Sequence, residues 1–293
     1  MTINLSDVNE FDVGTVSDTD GTANSVAENA TNGTAVGLTA NAVDADGTNS
    51  TVTYALSDNA GGRFAINGTS GVVWVRTRGI NQHDETVMDY VRWVMVRKGR
   101  ADAPAPVAHV PELAAVVAPE TLAIPAGLTF ADYDFTLAGE RHRFSDYDIG
   151  ERIDHVDGIT IEQSEHMQAT RLWQNTAKVH FDATFREDGK RLIYGGHVIS
   201  LARTLSFNGL ANAQMIVALN GGAHANPAFA GDTVKCWSEV LDKAPTAAPG
   251  VGAIRLRLVA VKQGATPFAL KGEDGKYLPE VLLDLDYWAL MPM

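Results

Sequence analysis

Residues Thr170 to Gly209 read TRLWQNTAKVHFDATFREDGKRLIYGGHVISLARTLSFNG, and this stretch decides how the rest of the chain is read. Its end, Val198 to Phe207, carries Val198, Leu201, Ala202 and Leu205 at i, i+3, i+4 and i+7, the spacing of one helical face. Ile199 and Phe207 widen the stripe, so the helix is expected to be buried on most sides. Asn208-Gly209 supplies the stop, because glycine enters the left-handed region without a steric penalty. Gly195-Gly196 sits just ahead of the expected first turn. A helix start carries unpaired N–H groups and partial positive charge, and glycine lets another molecule approach the backbone there. A tight strand-to-helix turn explains the same two glycines equally well. Upstream lies a polar cluster, Gln174-Asn175-Thr176, with His180 five residues after Asn175.

Four phrases carry a resemblance: RLWQNTAKVHF, RLIYGGHVISLARTLSFNGLANA, FAGDTVKCWSEVL and the ending LDLDYWALMPM. They resemble the MaoC-type dehydratases, the hotdog-fold enoyl-CoA hydratases. Within these they look like the mesaconyl-CoA hydratase or beta-methylmalyl-CoA dehydratase family, over most of Asp146 to Met293. The wider family has an Asp five positions before its His and a His-Gly pair opening the central helix. Asn175 and Gly195-Gly196 stand there instead, as the narrower family's pattern implies.

The resemblance implies an α+β hotdog fold, an antiparallel sheet wrapped around a central helix. It also implies reversible hydration of a short branched enoyl-CoA, with a CoA thioester as substrate and no cofactor required. Hydration of a conjugated thioester needs a base for water, an acid for the α-carbon and donors for the enolate oxygen. His180 suits proton exchange, since an unperturbed imidazole titrates near neutrality. Asn175 cannot act as a base, and its amide is expected to orient water or thioester. The N–H groups of Gly196 and His197 suit the enolate oxygen. Gln174, Gly195, Gly196 and His197 are thus the expected substrate-binding residues, and Asp182 and Glu165 are nearby carboxylates left unranked. A purely structural His180 is the alternative.

The chain of 293 residues has a net charge of −13, which argues against nucleic acid as a partner. Residues 1–72 hold nine acids against Arg63, a net of −8, which leaves −5 for residues 73–293. Such asymmetry points to two units of different origin. Within 171–203, Arg171, Lys178, Arg186, Lys190, Arg191 and Arg203 face Asp182, Glu187 and Asp188, a local +3 that suits CoA phosphates or a mixed solvated surface equally. Cys236 is the single cysteine and sits in a strand-like run, so a buried structural thiol is expected. Neither a signal peptide nor a membrane-length apolar run is evident, so a cytoplasmic location and no membrane partner are expected.

Residues 1–72 alternate short apolar runs with turn residues, the pattern of an all-β sandwich. VAENATNGTAVGLTANAVDADGTNSTVTYALSDNAGGRFAIN resembles a bacterial cadherin-type repeat. That resemblance implies calcium ligands at Glu28, Asp44 and Asp46, with Asp7 and Asn9 preceding them. A single repeat lacks the neighbour that completes such sites, so at most weak calcium binding is expected. Residues 73–99 continue a hairpin that starts near Gly71, with strand-like runs around the loop Gly79 to Glu85. It resembles the last two strands of an N-terminal hotdog half whose earlier part is absent. A fusion at Ser70-Gly71-Val72 is the expected origin.

Residues 100–127 hold five of the eleven prolines and read as a linker, with a helical turn expected at Glu112 to Val117. The hydratase-like domain then spans 128–293. In it Thr160 and Gln163 suggest a capping box for a helix through Leu172. Strands are expected at Gln214–Leu219, Thr233–Leu241, Ile254–Val261 and Val281–Leu290. An apolar flank without its covering half implies a homo-oligomer. Two rivals to the hydratase remain: a non-catalytic hotdog remnant, and a calcium-dependent cadherin-type interaction module.

Overall fold

A computed structural model describes residues 3–6, 17–21, 40–41, 53–56, 70–97, 99, 110–175 and 177–293. The chain divides into two compact units, Met1–Leu113 and Ala114–Met293. In the first, β1 (Ile3–Ser6) pairs antiparallel with β4 (Thr53–Leu56), and β2 (Ser17–Asp18) with β3 (Ala40–Asn41). Most of the expected cadherin-type sandwich, and all five residues proposed around calcium, lie outside the described residues. The hairpin has two long antiparallel strands, β5 (Ser70–Ile80) and β6 (Thr86–Arg97). Asn81 ties its loop, accepting from the His83 and Glu85 N–H groups. Arg76 makes a two-point contact with Asp89 across the strands.

The second unit is built on a five-stranded antiparallel sheet in the order β7-β9-β10-β11-β8. The strands are β7 (Arg152–Thr160), β8 (Met215–His224), β9 (Thr233–Pro245), β10 (Val251–Lys262) and β11 (Val281–Pro292). Five helices accompany them: α1 (Phe135–Ala138), α2 (Gln163–Leu172), α3 (Lys178–Phe181), α4 (Gly195–Leu205) and α5 (Phe207–Leu210). Helix α4 lies against β7, β9, β10 and β11. Its Val198, Leu201, Ala202 and Leu205 are buried with Ile254, Leu256, Leu258, Leu283 and Tyr287 in the main core. Each fully buried aliphatic side chain there contributes about 1.5–3 kcal/mol, so the helix is held by packing. Helix α4 ends at Leu205, and the break expected at Asn208-Gly209 falls inside α5 as a kink, where Gly209 has φ +91°; Phe207, expected in the buried stripe of α4, stands beyond its end and is exposed. Cys236 is buried, its thiol pushed up to about 12 by loss of water, and its S–H points to the Ala202 carbonyl.

The opposite sheet face carries two smaller apolar clusters, around Trp288 and around Trp237. Val117, Leu122, Ile124 and Leu128 cover the first. The Trp288 indole donates to the Val117 carbonyl at 3.0 Å and Asn220 accepts from the Val117 N–H at 2.8 Å. The expected linker therefore ends earlier than residue 127, because the chain from Ala114 packs onto the sheet. No helix forms at Glu112 to Val117; the short 3₁₀ turn is Pro119–Thr121. Between the two clusters runs a charged ladder. Glu239, Arg257 and Asp284 join β9, β10 and β11, and Arg255 grips Asp286 beside them.

One further expectation changes, and one strand has no counterpart in the sequence reading. Arg152–Thr160 is a strand, with a register shift between Asp154 and Gly158 where Val156 stands at φ +61°. Thr160 ends that strand, bonded to the Thr233 hydroxyl at 2.7 Å, so it cannot cap α2. Glu162 occupies the N-cap and makes no side-chain cap bond.

Candidate active site

The site gathers at the N-terminal end of α4. The helix starts at Gly195, so both glycines lie inside its first turn and Tyr194 is the N-cap, with no side-chain cap bond. The Tyr194 carbonyl accepts the N–H groups of His197 at 2.9 Å and Val198 at 3.3 Å. This corrects one expectation: the His197 N–H is already committed. The Gly195 and Gly196 N–H groups are the ones a helix start leaves without intrahelical acceptors. Both glycines are dictated by close approach. A Cβ at Gly195 would meet the His224 imidazole at 2.5 Å, and one at Gly196 would meet the Tyr194 phenol at 2.5 Å.

His180 lies in the single turn of α3, one residue before its end, and is half-buried. Its Nδ1 lies 2.8 Å from the Leu192 carbonyl oxygen. A carbonyl only accepts, so Nδ1 carries the proton and a neutral ring leaves its lone pair on Nε2. The His180 ring meets Tyr194 edge-on at 5.9 Å and His166 at 6.4 Å. Asn175 is held differently from the expectation. Its Oδ1 accepts the Ala177 N–H at 3.1 Å, which shapes the turn into α3. Thr176 lies outside the described residues. Gln174 is exposed at φ +53° and closes α2 in the left-handed region, the place a helix end usually gives to glycine. Asp182 caps the turn after α3 by accepting from the Thr184 N–H and hydroxyl, and these bonds hold its carboxyl below the usual range. Both bonds fall on Oδ1, and the His180 Nδ1 goes to the Leu192 carbonyl instead. Glu165 is exposed on α2 and favours the charged form of His197.

Sequence reasoning missed His166. It is fully buried, and its Nε2 accepts the Tyr194 N–H at 3.0 Å. Its ring lies 5.9 Å from that of His197. Burial pushes His166 down to about 4, with His197, His180 and Arg191 adding to the effect, and burial lowers His197 too. Both rings are therefore neutral at pH 7. Two of their nitrogens, His166 Nδ1 and His197 Nε2, are buried with no hydrogen-bond partner among the described residues. A polar helix with one histidine gave no signal of this, because its partners, the Tyr194 N–H and the His180 and His197 rings, lie well along the chain. Arg171, Arg186 and Arg191 are bound locally, to the Met167 carbonyl, Asp188 and the Phe181 carbonyl, so the basic stretch is partly spent on its own loops.

No family model matches the sequence. Over 226 residues, 77% of the chain, it is 76% identical to mesaconyl-CoA hydratase of Cereibacter sphaeroides and covers 66% of that protein. It is 52% identical over 232 residues to beta-methylmalyl-CoA dehydratase of Chloroflexus aurantiacus, covering 65% of it. The chain thus spans just under two thirds of the length of these curated relatives. Among solved structures, a MaoC domain protein from Chloroflexus aurantiacus superposes with a TM-score of 0.74 at 51% identity, over 77% of this chain and 66% of that one. A double hotdog protein of Mycobacterium tuberculosis superposes with a TM-score of 0.52 at 22% identity, over 75% of this chain and 62% of that one, a likeness of fold.

Proposed function

Since the matched residues belong to the family of mesaconyl-CoA hydratase and beta-methylmalyl-CoA dehydratase, we propose that this chain reversibly hydrates a short branched enoyl-CoA of the mesaconyl-CoA type. The observation that carries the mechanism is the His180 Nδ1 bond to the Leu192 carbonyl, which leaves Nε2 as the basic nitrogen. In the hydration direction, Nε2 takes a proton from water as the water oxygen bonds the β-carbon. The C=C pair moves onto the thioester oxygen as an enolate. The enolate then collapses, and the α-carbon takes the proton back from His180. The N–H groups of Gly195 and Gly196 suit the enolate oxygen, because fixed donors cost no reorganisation as charge develops. Asn175 shapes the loop that presents His180, and Gln174 and His197 flank the acyl group. Coenzyme A is the carrier of the substrate, and the reaction needs no further cofactor.

The test is direct: mesaconyl-CoA is mixed with purified chain and the conjugated enoyl-thioester absorbance is followed. A fall in absorbance that depends on the chain is expected; a flat trace at high chain concentration defeats the proposal. Self-association belongs to the same reading. Strand β8 is a sheet edge with Met215, Ile216 and Leu219 exposed, and such an edge favours pairing with a copy. Light scattering that reports a monomer at all concentrations would rule it out.

A further inference from the structure

The geometry points to a second catalytic residue, Tyr194, whose phenol donates a hydrogen bond to the thioester oxygen beside the Gly195 and Gly196 N–H groups. This rests on the hydratase reading above and names a group that neither the motif spacing nor the relatives' names supply.

Three observations carry it. First, the phenol lies directly on Gly196: its Cζ and hydroxyl oxygen both stand 2.5 Å from where a Cβ would be. The hydroxyl therefore shares the first turn of α4 with the unpaired backbone donors. Second, its position is held from several sides. The buried His166 Nε2 grips the backbone N–H, the His180 ring stands edge-on at 5.9 Å, and Trp173 lies at 6.5 Å. Third, the residue is locally unfavourable. Tyr194 stands at the N-cap, where Ser, Thr, Asp or Asn would satisfy a helix N–H and add about 1 kcal/mol. A position that forgoes a cap, and forces glycine two residues later, is better explained by what its side chain does. Tyr194 is half-buried, and its hydroxyl has no hydrogen-bond partner among the described residues. It gives a hydrogen bond only; the reacting protons pass through His180.

The test compares the full chain with Tyr194→Phe, which keeps the ring on Gly196 and removes one donor. Loss of an oxyanion donor lowers kcat by about 10²-fold, and KM is expected to stay within about threefold. An independent readout is the infrared carbonyl band of ¹³C-labelled methylsuccinyl-CoA, a saturated thioester that cannot be hydrated. Bound to the wild-type chain the band moves to lower frequency, and Tyr194→Phe returns part of that shift. If the wild type turns over mesaconyl-CoA and Tyr194→Phe matches its kcat, the phenol only packs and this assignment fails alone. A wild type that neither binds the thioester nor hydrates mesaconyl-CoA overturns the proposed function and this assignment together. A collapsed circular dichroism spectrum for Tyr194→Phe transfers the decision to Gly196→Ala, whose methyl displaces the phenol. Unchanged kcat in a folded Gly196→Ala also sinks the assignment.

Discussion

The two ends of helix α4 are built from similar residues and finished in opposite ways. At the C-terminal end, His155 is fully buried with both ring nitrogens bonded, to the Asn208 carbonyl at 2.6 Å and the Ser238 hydroxyl at 2.8 Å. Arg203 there reaches the Ser206 hydroxyl and the Ala213 carbonyl, and Tyr147 donates to the Gly209 carbonyl. At the N-terminal end, His166 and His197 are just as buried, yet each keeps an unbonded nitrogen. Leaving a buried polar atom unpaired costs about 1–3 kcal/mol. A fold that bonds both nitrogens of the buried histidine at one end of a helix and leaves one on each of two at the other shows where it holds structure and where it keeps hydrogen-bonding capacity in reserve.

The sharpest way to break this contrast is His180→Ala at the open end. General acid–base catalysis typically contributes 10²–10⁴-fold, so turnover of mesaconyl-CoA is expected to drop by about that factor. The circular dichroism spectrum should stay the same, since His180 is only half-buried and makes one ring hydrogen bond. Equal rates for wild type and variant would make the open end structural as well.

Acid sharpens the contrast next. His166 sits at about 4 in the fold against an ordinary 6.5, because burial disfavours its charged form. The unfolded chain therefore binds a proton between these values that the folded chain refuses. Stability from this group is complete above pH 6.5 and is lost as the pH falls toward 4. The loss is on the order of 1–3 kcal/mol, and His197 shifts in the same direction. His166→Gln can still accept the Tyr194 N–H and does not titrate. Urea melts of both chains at pH 7, 5.5 and 4.5 should show a shallower acid limb in the variant, and parallel limbs would contradict this.

At the closed end, His155→Ala strands the Ser238 hydroxyl and removes the group held by the Asn208 carbonyl, at a cost of about 1–3 kcal/mol. The midpoint in urea should fall while kcat of the surviving folded protein changes by less than about twofold. A large fall in kcat with unchanged stability would invert the assignment of the two ends.

How much of this was legible depends on whether a feature is local. Helix α4 and strands β8 to β11 were readable because their apolar spacing survives in every context. The backbone break at Gly209 was too, because only its own geometry mattered, although it falls inside α5 rather than ending α4. Strand β7 hid because the irregular stretch from Asp154 to Gly158 breaks the two-residue alternation. Thr160 and Gln163 had the spacing of a capping box, but the sheet claimed Thr160 first. In the site, His180 stood out by its neighbours in sequence. His166 and Tyr194 act through a contact 28 residues apart, between a buried ring and a backbone N–H, and no periodicity encodes that.

The smallest expected effect separates two roles at Gln174. This residue was expected to bind substrate, and it also closes α2 at φ +53°, where a side chain costs about 1–2 kcal/mol relative to glycine. Gln174→Gly removes that strain but loosens the unfolded chain by about 0.4–1 kcal/mol, so a net gain below about 1 kcal/mol is expected. If the side chain only caps the helix, KM for mesaconyl-CoA stays put while the urea midpoint rises slightly. If it also contacts the acyl group, the midpoint rises and KM rises with it, because an exposed amide that stabilises nothing in the fold has been taken from the ligand. A fall in stability would mean that the left-handed turn is held by a contact of the glutamine side chain, and the cap argument would be wrong.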